Sequence, residues 1–131
     1  MPAAKNLFKD QVSVRTTDAT VTTIRTIPIP SPVGASTNSA AQITARIVGV
    51  RTGGSAGAAG DTGAYFIVGC VKNTSGTAAL VGTPSKLQAS EDQIGWDVSI
   101  TVSGANALLR VTGATNNNIT WTAFVEWTVT I

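Results

Sequence analysis

The chain has 131 residues, 43% of them hydrophobic and 12% charged, with nine Lys and Arg against seven Asp and Glu. That length fills one domain around a single core, and the apolar fraction and lack of a matching repeat exclude a disordered tail, collagen and coiled coil. Twenty Thr, thirteen Gly and no His make a composition rich in β-branched residues, short of helix formers and without imidazole chemistry.

Residues 1–10 are polar, contain Pro2 and lack the apolar h-region of a signal peptide. They are expected to form an N-terminal arm, either disordered or docked on a neighbouring subunit. Residues 11–131 are expected to form one β domain. Val, Ile and Thr predict strands over 12–17 and 21–27, parted by a tight turn at Asp18-Ala19. Pro28, Pro30, Pro32 and Gly34 then break the pattern. A strand over 43–51 follows, with Ile43, Ala45, Ile47 and Gly49 on one face.

The small-residue loop 53–63 leads into the run 64–72, so continuously apolar that it predicts a strand covered on both sides or one at an interface. A turn at Asn73-Thr74-Ser75-Gly76 precedes a strand over 77–83, and a single helical turn is expected near 90–93. Strict alternation returns over 96–103, with Trp96, Val98, Ile100 and Val102 on one face. After a strand over 107–112, residues 119–131 place Ile119, Trp121, Ala123, Val125, Trp127, Val129 and Ile131 on one side. Thr fills most of the other side, and Phe124 is the outer-face exception. Together these give an all-β, antiparallel β-sandwich, jelly-roll-like, of about eight strands.

The nine cations are scattered singly, with no basic cluster that would mark a nucleic-acid surface. No stretch approaches the ~18 apolar residues of a transmembrane helix, so no membrane insertion is expected. So little charge predicts surface hidden in an oligomer. Cys70 stands alone, so no intrachain disulfide forms, and its apolar setting predicts a buried small hydrophobe.

Without His there is no Ser-His-Asp triad, no Cys–His pair to activate the thiol and no histidine metal site. Two-carboxylate chemistry has Asp61, Glu91, Asp92, Asp97 and Glu126 to draw on, of which only Glu91 and Asp92 are adjacent. That pair converges only in a turn, where it would either bind Ca²⁺ with Asp61 or backbone carbonyls, or sit solvated or salt-bridged. Loop 53–63 lacks the Gly-Lys-Ser/Thr and the following helix of a phosphate cradle. The three Trp lie on apolar faces, which argues core over a sugar-binding platform and leaves Tyr65 and Phe124 as the better exposed aromatics.

An ordered series of strings carries a resemblance: Arg51-Thr52-Gly53-Gly54, Gly57-Ala58-Ala59-Gly60-Asp61-Thr62-Gly63-Ala64-Tyr65 and Val71-Lys72-Asn73 with Gly76-Thr77. Leu80-Val81-Gly82-Thr83, Ser90-Glu91-Asp92, Gly95-Trp96-Asp97-Val98, Val111-Thr112-Gly113-Ala114 and Asn118-Ile119-Thr120-Trp121 complete it. Over residues 10–131 the order resembles a β-module of tailed-bacteriophage structural proteins, found in tail-fibre or tail-spike C-terminal regions and in small decoration proteins.

The resemblance implies a noncatalytic virion component, often a trimer. The residues themselves lead to the expectation of no cofactor or metal, and the lack of a signal peptide and transmembrane stretch to synthesis in the host cytoplasm. A start at Met1 with ten residues before the first strand suits a head decoration or cement protein clamping the major capsid protein. The alternatives are a receptor-binding fibre or spike tip on a host surface receptor and, from another class, a carbohydrate-binding module. Leu7, Phe8, Tyr65, Phe66, Val68 and Phe124 are the expected interface residues.

Overall fold

A computed structural model describes residues 7–30 and 38–130. The six-stranded sheet runs β1 (Leu7–Thr16), β9 (Asn118–Thr130), β3 (Asn38–Gly53), β4 (Thr62–Thr74) and β5 (Thr77–Leu80), with β6 (Ser85–Glu91) also on β4. The second sheet is β2 (Thr22–Pro28), β8 (Asn106–Thr112) and β7 (Asp97–Ser103). All pairings are antiparallel. The architecture is the expected all-β sandwich, with nine strands among the described residues.

The additional strand is β6, in which every residue but Glu91 is exposed, so no buried alternation announced it. The expected helical turn is instead the end of β6 followed by a tight turn, in which the Trp96 N–H donates to the Gln93 carbonyl at 3.2 Å. Residues 7–10, assigned to the arm from sequence, belong to β1, which pairs with β9 from Leu7↔Thr128 to Thr16↔Ile119. The rest of the expected arm, Pro32, Gly34 and Ile131 lie outside the described residues. The hairpin between β4 and β5 turns through Ser75 (φ 53°) and Gly76 (φ 95°), the pair of left-handed residues that a two-residue turn requires.

The core follows the period of two. β9 buries Ile119, Trp121, Ala123, Val125, Trp127 and Val129 against Ile27, Val98, Ile100, Leu109 and Val111 of the smaller sheet. Trp121 is its centre. Trp96 meets it edge-on at 5.4 Å, Tyr65 lies 6.3 Å away, and its Nε1 donates to Thr16 Oγ1 at 2.9 Å. Gly49 stands directly across from Trp121 on β3, leaving the indole room to lie over the backbone.

β4 does not behave as its apolar run predicts. It buries Tyr65, Ile67 and Val71, while Phe66 and Val68 are half-exposed and Cys70 is exposed. Cys70 is therefore a surface thiol: the smaller sheet covers only one face of β4, and Cys70 is on the other.

Candidate functional site

Three surfaces gather the side chains with chemistry to offer. The first is the outer face of the six-stranded sheet. Even-numbered residues of β3, β4 and β9 share this face because their registers are even with even. One row across it reads Phe124, Arg46, Phe66, with the guanidinium 4.9 Å from the centroid of the Phe66 ring. The flanking rows are Thr122, Val48, Ala64 and Glu126, Thr44, Val68. Val48 is 52% exposed and Phe124 38%. The solvated face of an antiparallel sheet is ordinarily polar, and this one carries an unusual share of Phe and Val in its central strands.

Of the six expected interface residues, Phe66, Val68, Phe124 and Leu7 lie on this face. Tyr65 does not: only 2% exposed, it packs in the core and its hydroxyl donates to Glu91. Successive strand residues face opposite ways, so Tyr65 and Phe66 never share a surface, and the buried parity of Ile67 and Val71 is the signal that places Tyr65 inside.

Phe8 is turned to the opposite side of β1, opposite Trp127, and belongs to the second surface, a groove between β1 and β2. Its cavity of about 590 Å³ is lined by Leu7, Phe8, Lys9, Asp10, Arg25 and Trp127. Phe8 stacks on Trp127 with centroids 5.5 Å apart and planes 16° from parallel. The Arg25 guanidinium lies 5.3 Å from the Trp127 ring, and its Nε is 2.8 Å from Asp10 Oδ2. That ion pair is close without the alignment of a hydrogen bond, whereas Arg25 Nη1 donates to the Thr26 carbonyl at 2.5 Å. Pro28, Pro30 and Val129 line an adjoining hollow that shares Phe8, Arg25 and Trp127. Nothing in the sequence pairs Asp10, in the expected arm, with Arg25, a lone cation on another strand.

The third surface is the loop end. Asp61 accepts from the Ala58 N–H at 2.9 Å and from Gln93 Nε2 at 2.7 Å, and the same amide reaches Asn117 Oδ1 at 3.1 Å. Arg51 closes the loop by donating to the carbonyls of Ala56 and Gly54, both at 2.7 Å. Asp92 accepts from the Thr62 N–H at 2.9 Å. Asp61, Glu91 and Asp92 thus each serve a different protein donor, and no three His, Cys, Asp or Glu gather to hold a metal among the described residues.

The bond from the Ala58 N–H, and then that from Gln93, hold the Asp61 carboxyl below its ordinary 3.8. A depressed carboxylate contributes stability above its unfolded value, and that contribution is lost as pH falls through the folded one. The Ala58 amide shift is therefore expected to titrate with a midpoint below 3.8. In Asp61→Asn that titration should vanish, and the stability gap to the wild type should close in acid. A midpoint at or above the ordinary value would contradict the assignment.

No protein-family model matches the chain, and no curated protein sequence does. Three tailspike structures align with the chain. That of Acinetobacter baumannii phage AM24 aligns at TM-score 0.51 and 10% identity over 92% of this chain and 26% of its own. The tailspike gp49 of Acinetobacter baumannii bacteriophage Fri1, a capsular polysaccharide depolymerase, aligns at 0.43 and 14% over 95% of this chain and 20% of its own. The tailspike of Acinetobacter phage vB_ApiP_P1 aligns at 0.40 and 17% over 98% and 23%. The chain spans about a quarter of the AM24 protein, with which it shares a β-sandwich fold.

The expectation of a noncatalytic protein is corrected here. It rested on the missing His and on the resemblance to virion proteins, and of the tailspikes that align with the chain, that of Fri1 is a capsular polysaccharide depolymerase. The missing His excludes only imidazole-dependent mechanisms, since paired carboxylates cleave glycosides without one.

Proposed function

We propose that the chain is a virion module of a bacteriophage tail spike, self-associated as a homotrimer through the outer face of the six-stranded sheet and turned toward the host surface. The row Phe124, Arg46, Phe66 carries this reading. Its rings give a central apolar anchor, and Arg46 and Glu126, on adjacent rows, supply opposite charges for a copy to meet. The fold shared with the AM24 tailspike favours a spike over the head-decoration role expected from chain length, as a fold-level analogy.

Sedimentation at micromolar concentration tests the assembly. The wild type is expected at the mass of three chains, with Arg46→Glu and Phe124→Asp at the mass of one and their β-sheet circular dichroism retained. A monomeric wild type, or variants that stay trimeric, would overturn the assembly. Antibody labelling of whole particles tests the location: label on the tail supports the spike, and label on the head restores the decoration role.

A further inference from the structure

We propose that the groove between β1 and β2 is a subsite for one neutral pyranose unit of a saccharide. Recognition of a pyranose requires a flat apolar surface for its C–H face beside donors and acceptors for its hydroxyls. The groove supplies both within one cavity of about 590 Å³. Phe8 is 37% exposed, and Trp127, itself only 6% exposed, backs it in a near-parallel stack. A ring supported in that way is a rigid platform, with little freedom left to lose when a ligand settles on it.

Next to the platform stand Arg25 and Asp10. Arg25 Nε is buried and makes no hydrogen bond, although it lies 2.8 Å from Asp10 Oδ2, and Nη1 is committed to the Thr26 carbonyl. The guanidinium of Arg25 and the carboxylate of Asp10 stand as one close ion pair on the wall of the groove, so donors and acceptors meet at one place beside the platform. Neighbouring hydroxyls of a sugar ring, each both donor and acceptor, fit that pairing.

The same ion pair sets the charge of the ligand. Arg25 and Asp10 already neutralise one another, so a ligand carboxylate would have to compete with Asp10 for Arg25 and leave Asp10 uncompensated. A neutral sugar costs neither. The spike reading supplies only a source for such a saccharide; the groove chemistry stands without it.

The test is saturation-transfer NMR and Trp fluorescence with neutral tetrasaccharides of glucose, galactose and mannose, alongside uronate-containing tetrasaccharides. Neutral chains are expected to bind, with transfer strongest to C–H protons of one sugar unit. Phe8→Ala and Arg25→Gln should each weaken binding by about tenfold or more, and Leu87→Ala, on exposed β6, should leave it unchanged. Phe8 lies on an edge strand and its loss spares the core, and the folded state of each variant is checked by thermal melting.

Absence of binding to every neutral chain, a preference for uronates, or binding undiminished in both groove variants would overturn the proposal. So would a change in oligomer mass caused by Phe8→Ala, which would make the groove a contact between copies. A trimer without saccharide binding sinks the subsite alone, and a monomer that binds sinks the assembly alone.

Discussion

Trp121→Ala is expected to lower the melting temperature by about 10–20 °C, from a loss of about 3–5 kcal/mol and a few degrees per kcal/mol in a domain of this size. Trp121 has no exposed surface, and its ring is held by Trp96 edge-on, by Tyr65 and by the bond to Thr16. The facing residue on β3 is a glycine, with no side chain to fill the space. A Cβ built on Gly49 falls 2.6 Å from Trp121 Cε3, closer than carbon atoms approach.

Gly49→Ala alone therefore forces the indole or the strand to move, at about 1–3 kcal/mol. With Trp121→Ala in place that clash is gone and the added methyl fills part of the cavity. The two losses are expected to be strongly non-additive, the double variant being little worse than Trp121→Ala. Urea denaturation of the four proteins measures the coupling. Additive losses would mean that the glycine serves backbone freedom rather than the indole.

That pair also shows what alternation carries and what it hides. Trp121 and Gly49 could each be assigned to an inward face from the odd positions of 119–131 and 43–51, and the structure places both there. What period two does not carry is which sheet is wider. The smaller sheet has three strands and the larger six, so β6 stands with both faces exposed and no apolar pattern to reveal it.

The same mismatch explains the run 64–72. A strand covered on both faces by its own chain and a strand with an unpartnered apolar outer face have the same sequence. Cys70, expected to be buried, and Val68 therefore stand on the face that the smaller sheet leaves uncovered. Tyr65 was legible by parity, since it shares the buried face of Ile67 and Val71, and its hydroxyl is satisfied there by Glu91. The groove was not legible at all. Asp10 and Arg25 meet only because β1 and β2 lie in different sheets that approach at that end.

Tyr65 is the sole tyrosine, and its ionisation is expected to be silent in the folded protein and to appear only with unfolding, well above pH 10. Burial is the main cause of its raised value, followed by the hydrogen bond to Glu91 and the negative charges of Glu91 and Asp97. A folded-state value raised above the ordinary 10.0 contributes stability that is complete below that pH. It is lost as pH climbs, because only the unfolded chain gives up the proton.

Phenolate absorbance and Trp fluorescence should therefore change together in one alkaline transition. Tyr65→Phe is expected to be less stable than the wild type at neutral pH, by about 0.5–1.5 kcal/mol for the lost hydrogen bond. Without the phenol it lacks this alkaline term, so its stability should fall less steeply above pH 10 and the two curves should converge. The other alkaline titrations are common to both proteins and cancel in the comparison. A phenolate that titrates near 10 while the fluorescence of the three buried Trp stays native would show that Tyr65 reaches water, and that the inward face of β4 opens.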